Sequence, residues 1–248
     1  MRSHALGFAL GFFLVAALRA DDSLTHARQA QAMLGPDVWS RVIRIENEGP
    51  AHRYPRTLHA LVFELDGLLW FYTDADGTQS FSLRRDRLAE EKADFGPLLH
   101  DIEPGFRRWH EVPAAAGAAP VARGPLRNGC FIESVVAWRS VGGGAAEPQL
   151  LAYYEDTPSG VHGHTVLTYE RGGRPEVFDP EPPARRVKFS ATEPRDALAL
   201  ARAFGGRAVS KARLLPLHLP APREAVVAAP GGDDAASPLA SQRIVTVR

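Results

Sequence analysis

The pattern of apolar and polar positions is sharpest over residues 58–83. An apolar run at 58–65, the pair Asp66-Gly67 and a second apolar run at 68–73 predict a β-hairpin. Asp-Gly suits such a turn because its central positions take positive φ. A second turn at Asp76-Gly77 leads into a third strand over 78–83, so this stretch reads as a β-meander. Upstream, Asp22-Ser23 caps a helix predicted over 24–34 and closed by Gly35-Pro36. Val38, Val42 and Ile45 fit a short strand or a short helix. Downstream, a charged helix is predicted over 86–95, stopped by Gly96-Pro97, and 113–124 reads as a flexible linker. Asn128-Gly129 is a good entrance to a buried helix over 130–141, although its β-branched residues make a strand the competing reading. A strand follows over 149–155. A hairpin over 164–179 turns at 171–174, and a helix over 197–204 ends at Gly205-Gly206. Residues 220–248 hold few large apolar groups beside much Ala, Pro, Gly and Asp. They cannot bury enough surface to offset the entropy of ordering, so a disordered tail is expected, with the apolar patch 244–247 as its one candidate strand.

The first twenty residues read as an address. A short basic start precedes fourteen residues, 5–18, without a charged or polar side chain, and Arg19-Ala20 and Asp21-Asp22 follow. A bilayer span needs roughly 20 apolar residues, so the run fits a secretory signal cleaved after Ala20. An uncleaved anchor is the competing reading. The expected organisation is a signal at 1–20, a single α+β domain at 21–219 with its core at about 125–190, and the tail at 220–248. The expected location is secreted or periplasmic, with no stable membrane span after cleavage.

Composition narrows the function classes. Twenty-nine Lys+Arg balance 29 Asp+Glu, which argues against nucleic acid as the main partner, because such proteins carry a surplus of cations. No Walker loop, dinucleotide fingerprint, HExxH or Gly-x-Ser-x-Gly occurs. The chain has one cysteine, Cys130, so no intrachain disulfide or Cys-rich zinc site is possible.

Three features converge on Cys130. An unpaired thiol in an oxidising compartment is a liability unless it is buried or used. It opens a predicted helix, where free N–H groups and the helix dipole favour a thiolate. Downstream, His164 opens one strand and Asp179 closes the next, so antiparallel pairing puts both at one end of the sheet. A thiol nucleophile needs an imidazole for its proton, and the imidazole needs a carboxylate or amide to fix its tautomer.

The segments Asn128-Gly-Cys-Phe-Ile-Glu133, Gly163-His-Thr-Val-Leu-Thr-Tyr169 and Glu176-Val-Phe-Asp-Pro180 stand with spacings of 34 and 15 residues between Cys, His and Asp. In this order they resemble the transglutaminase-like branch of the papain-like cysteine peptidase superfamily. The resemblance covers 127–181. It implies a papain-like/transglutaminase-like α+β core, with an antiparallel sheet packed against the helix that carries the cysteine and the N-terminal meander extending it. It also implies Cys130 as nucleophile, His164 as base and acid, Asp179 as orienting group, and no cofactor. The expected function is thiol-dependent acyl transfer on a peptide, protein or other amide or ester substrate. Papain-like enzymes place an oxyanion glutamine just before the nucleophile, and no Gln lies between Gln79 and Cys130. An upstream aromatic donor is the substitute in the transglutaminase-like branch, with Trp70 or Trp109 as candidates.

Blander readings stand beside this one. A lone Cys on an apolar helix is often a small buried hydrophobe. His164 suits a satisfied core histidine, and Phe-Asp-Pro suits a turn. The protein is then a non-catalytic scaffold of the same fold. A third reading makes His162, His164, Asp179 and Cys130 a zinc set, although Gly163 between the histidines suggests a loop. The pair His59/Asp74 repeats the 15-residue spacing without a second cysteine, and Arg84-Arg85 and Arg185-Arg186 read as solvated surface.

Overall fold

The computed structural model describes residues 22–49, 54–81, 85–113, 125–141, 145–158, 160–181, 184–189, 196–216 and 243–246. The expected signal at 1–20, the linker at 113–124 apart from Pro113, and the tail at 220–248 apart from 243–246 lie outside these residues. The fold is α+β, with two sheets. Contacts divide it into two compact units, Met1–Gly129 and Cys130–Arg248, where the sequence suggests one domain. No helix among the described residues is long and apolar enough to cross a membrane.

The first unit opens with helix α1 (22–34). Ala27, Ala30 and Leu34 are buried at helical spacing, and Gly35 takes the left-handed conformation that ends the helix (φ +76°). The first sheet has the order β4-β3-β2-β1-β5 and is antiparallel throughout. Its strands are β1 (Ser40–Asn47), β2 (Thr57–Leu65), β3 (Leu68–Thr73), β4 (Gly77–Ser80) and β5 (Phe106–Glu111). Asp66 and Gly67 both take positive φ (+55° and +70°), as a two-residue hairpin turn of right twist requires. The ambiguous apolar positions around Val42 are β1, a strand paired on both edges.

β2 is buried on both faces. Leu58, Ala60 and Val62 join the core with Ile43, Phe71, Phe95 and Leu99. His59, Leu61 and Phe63 alternate onto the other face, where Ser23 Oγ of α1 lies 3.1 Å from His59 Nδ1. His26 Nδ1 of α1 lies 3.2 Å from Asp74 Oδ2. His59 and Asp74 thus each have a partner on α1.

Gly96-Pro97 does more than stop a helix. The charged segment is a 3₁₀ turn at Arg85–Arg87 and a short helix, α2 (Leu88–Ala93). Gly96 then opens α3 (Gly96–Ile102), with Pro97 in the first turn, where its missing N–H costs nothing. Glu103, just past α3, is buried, and its carboxylate accepts from Tyr54 N (2.7 Å) and Gly105 N (2.9 Å).

In the second unit, α4 is Cys130–Val141, so the helix prevails over the strand reading. Phe131, Ile132, Ser134 and Val135 are all buried, which suits a helix enclosed on most sides, and Ser134 Oγ donates to Thr165 O (3.0 Å). The second sheet runs β10-β6-β7-β8-β9-β11. Its strands are β6 (Ala145–Thr157), β7 (Gly160–Arg171), β8 (Arg174–Asp179), β9 (Arg185–Lys188), β10 (Val209–Pro216) and β11 (Arg243–Thr246). Neighbours from β10 to β9 are antiparallel, and β11 joins β9 in parallel. α5 (Ala197–Gly205) is capped by Asp196, whose side chain accepts from Ala199 N. It buries Leu200, Ala201 and Phe204 against Leu151, Tyr153 and Val166.

β11 lies at the candidate strand of the tail, where 243–246 take the free edge of β9 in parallel. Deleting residues 217–248 removes that strand. The expected cost is about 1 kcal/mol, the net worth of one or two backbone hydrogen bonds, and roughly 2–4 °C in Tm for a chain of this size. Calorimetry of the truncated chain checks this, and a fall above about 8 °C indicates a packed tail instead.

Candidate thiol–imidazole site

The segment before the cysteine is tightly held within the first unit. Tyr72 Oη donates to Arg127 O (2.7 Å), and Asn128 Nδ2 donates to Asp74 O (2.8 Å) and Ala75 O (3.0 Å). Asn128 takes positive φ (+52°), which asparagine tolerates better than most residues. Gly129 has no room for a side chain, since a Cβ there would lie 2.4 Å from Leu126 Cβ. Cys130 then opens α4, where the first N–H groups have no partner inside the helix. Its thiol is free and partly buried.

The β6–β7–β8 meander supplies the other groups. His164 lies on β7 opposite Tyr153 of β6, and the two rings meet edge to face at 5.6 Å. Asp179 ends β8, one pleat along on the neighbouring strand. His164 Nε2 lies 2.9 Å from Asp179 Oδ2, and both side chains are largely buried, at 12 % and 16 % exposed. The antiparallel geometry thus brings the predicted His and Asp together. The thiol of Cys130 is near enough to add to the rise in the imidazole pKa. With Nε2 engaged by Asp179, Nδ1 is the ring nitrogen available to sulfur.

Burial alone would push the His164 imidazolium pKa down. Hydrogen bonding of the protonated ring to Asp179 and Cys130, and their charges, outweigh burial and raise it from 6.5 to about 10. The imidazole is therefore cationic at neutral pH. Burial raises the Tyr153 hydroxyl pKa, and Glu155 and Asp179 add to that rise. Tyr153 is a wall of the site with its proton retained.

Two residues of the site escape the sequence reasoning. Tyr153 becomes visible only once strand register is known. Glu181 lies two residues past Asp179, its N–H donating to Asp179 Oδ1 (3.0 Å). Its carboxylate oxygen lies 3.8 Å from His164 Nδ1. His162 is exposed on β7 and lies outside this group. Gly163 sits within the strand and not in a loop, its open face covered by the Tyr154 ring, 3.2 Å from where a Cβ would stand. Of the two tryptophan candidates, Trp70 Nε1 donates to Leu65 O and Trp109 Nε1 to Asp94 Oδ1, each at 3.2 Å. Of the basic pairs, Arg84 lies outside the described residues, Arg85 bonds Asp66, and Arg185 and Arg186 lie over the rings of Phe204 and Phe178.

No family model, no curated protein and no solved structure matches this chain.

Proposed function

We propose that the protein is a thiol-dependent acyl-transfer enzyme acting on an amide or ester, with Cys130, His164 and Asp179 as its catalytic residues. The observation that carries this reading is a buried imidazole held by a carboxylate through Nε2, with a free thiol at a helix start that acts on its pKa. A transglutaminase-like core is the finer reading of the α+β fold. An exported setting fits the basic–apolar–Ala20 pattern of the first twenty residues.

In this mechanism the sulfur of Cys130 attacks the substrate carbonyl carbon, and the carbonyl oxygen takes the negative charge. The N–H groups that open α4 are suited to bind that oxyanion. His164 gives its Nδ1 proton to the departing amine or alcohol, and the carbon–heteroatom bond breaks to leave a thioester. Water then attacks the thioester and returns a proton to His164. The acid is released and the thiol side chain restored. Asp179 holds the ring by Nε2 and stabilises its positive charge throughout.

A non-catalytic scaffold is favoured by one observation, the engagement of both Trp70 and Trp109 N–H groups within the first unit. Trapping separates the two readings. Incubation with an activated phenyl ester should add one acyl group to the protein by intact mass, on Cys130, and none to Cys130→Ala. No acyl adduct on Cys130 at any pH between about 5 and 9 favours the scaffold.

A further inference from the structure

His164 Nε2 lies 2.9 Å from Asp179 Oδ2. The torsion that turns an imidazole about its Cβ–Cγ bond is broad, so one hydrogen bond leaves the plane of the ring room to tilt. Glu181 does not steady it: its oxygen is 3.8 Å from Nδ1, and its side chain is 59 % exposed. Tyr153 is better placed. It stands directly opposite His164 on β6, so the two side chains leave the sheet on one face. Their rings are nearly perpendicular, at 83° with centroids 5.6 Å apart, within the range of an edge-to-face pair. The tyrosine is almost wholly buried, and burial keeps its hydroxyl protonated. Two carboxylates thus pull on the imidazole, and an uncharged wall faces it.

α5 backs that wall. Tyr153 shares a core with Leu200, Ala201 and Phe204, and the helix ends at Gly205. The backbone of Gly205 is not in the left-handed region, so conformation does not call for glycine there. Space does. A Cβ at Gly205 would stand 3.0 Å from Tyr153 Cε2, 2.6 Å from Glu155 Oε1 and 3.2 Å from Val209 Cγ2. The Glu155 carboxylate ends a flexible chain and can swing away. The enclosed Tyr153 ring cannot. Resting on the acyl-transfer reading, we propose that Tyr153, seated in the notch at Gly205, is a positioning residue that fixes the plane of the His164 imidazole. The ring then stays bonded to Asp179 through Nε2, and Nδ1 is left for proton transfer.

The test reads ring order and chemistry separately. In the full chain with isotope-labelled histidine, the Nε2–H proton of His164, identified by its loss in His164→Gln, reports the bond to Asp179. The rate of Cys130 acylation by the activated phenyl ester reports the chemistry. The wild type should show a sheltered, downfield Nε2–H resonance at neutral pH. Gly205→Ala pushes the Tyr153 ring by a few tenths of an ångström, and Ala is a good helix former, so α5 itself loses nothing. It should broaden the resonance and slow acylation about tenfold, since a misplacement of about 1 Å can cost ~100-fold. Tyr153→Leu should lose the resonance and slow acylation at least as much, while Tyr153→Phe, which keeps the ring, should recover most of both. In the Tyr153→Leu background Gly205→Ala should have no further effect, because the two sites couple through the ring. An unchanged resonance in both Gly205→Ala and Tyr153→Leu overturns the proposal, as does a Gly205→Ala effect that persists without the ring. A wild type without the sheltered resonance also overturns it. If the resonance behaves as expected but no acyl adduct forms in the wild type, the acyl-transfer reading falls and the hold of Tyr153 on His164 stands.

Discussion

Replacing His164 with Ala is expected to slow alkylation of Cys130 by iodoacetamide at pH 6 by about tenfold or more. An ordinary thiol, with a pKa near 8.5, is almost wholly protonated at that pH and reacts slowly. The native site holds an imidazole against Asp179, and Asp179 and Cys130 together raise its pKa to about 10. The imidazolium supplies the positive charge beside the nucleophile, so its removal should slow labelling. Asp179→Ala should act in the same direction and less, because it loosens the ring without removing it. Cys130→Ser should abolish labelling in every background, since the chain has no other cysteine. The same shift also sets a stability profile. A raised folded-state pKa means that the fold favours the protonated ring. That contribution is fully present below about pH 6.5 and is lost as pH rises toward about 10. Denaturant midpoints for the wild type should fall across this window relative to His164→Gln. A wild-type rate profile identical to that of His164→Ala would show that the imidazole does not govern the thiol.

Sequence patterns mark the elements that carry their own local signal. The Asp66-Gly67 hairpin, α4 from Cys130 and the β7–β8 hairpin all begin or turn at residues with a stereochemical reason to be there. The His164–Asp179 contact follows from strand alternation and antiparallel pairing alone. The elements that escape are mostly edge or near-edge strands. β5 reads Phe-Arg-Arg-Trp-His-Glu and pairs only with β1, and β9 reads Arg-Arg-Val-Lys. Edge strands carry charge outward to prevent intermolecular pairing, and this erases the apolar alternation that would announce them. β11 falls on the apolar patch 244–247, the one candidate strand of a poor core-forming tail, and β9 supplies the edge it needs. Tyr153 and Glu181 are hidden for another reason: their roles depend on which residue they face, and that is a property of register and not of composition.

Phe95→Ala should be among the most damaging single core substitutions in the first unit. Phe95 ends no helix, contrary to the pattern of charges before it; it is fully buried at the entrance to α3. Its ring meets Trp109 of β5 at 4.9 Å, Phe81 at 6.0 Å and Trp39 at 6.4 Å. Phe81 in turn stacks on Phe71 of β3 at 5.2 Å. One side chain therefore joins the segment before β1, the middle of the sheet, α3 and the edge strand β5. Truncation removes the transfer energy of the ring and leaves a cavity whose walls belong to four different segments, so collapse cannot fill it. The expected loss is about 3–5 kcal/mol, a large share of the 5–15 kcal/mol typical of a folded domain. Leu99→Ala, one helical turn on in the same core, should cost about 2–5 kcal/mol. A double-mutant cycle of Phe95 and Trp109 should show a coupling of about 0.5–1.5 kcal/mol, the increment of an aromatic pair beyond its buried area. Urea unfolding followed by tryptophan fluorescence measures all three, because Trp39 and Trp109 both contact the Phe95 ring. A loss below about 1 kcal/mol for Phe95→Ala would mean that the ring does not hold these segments together.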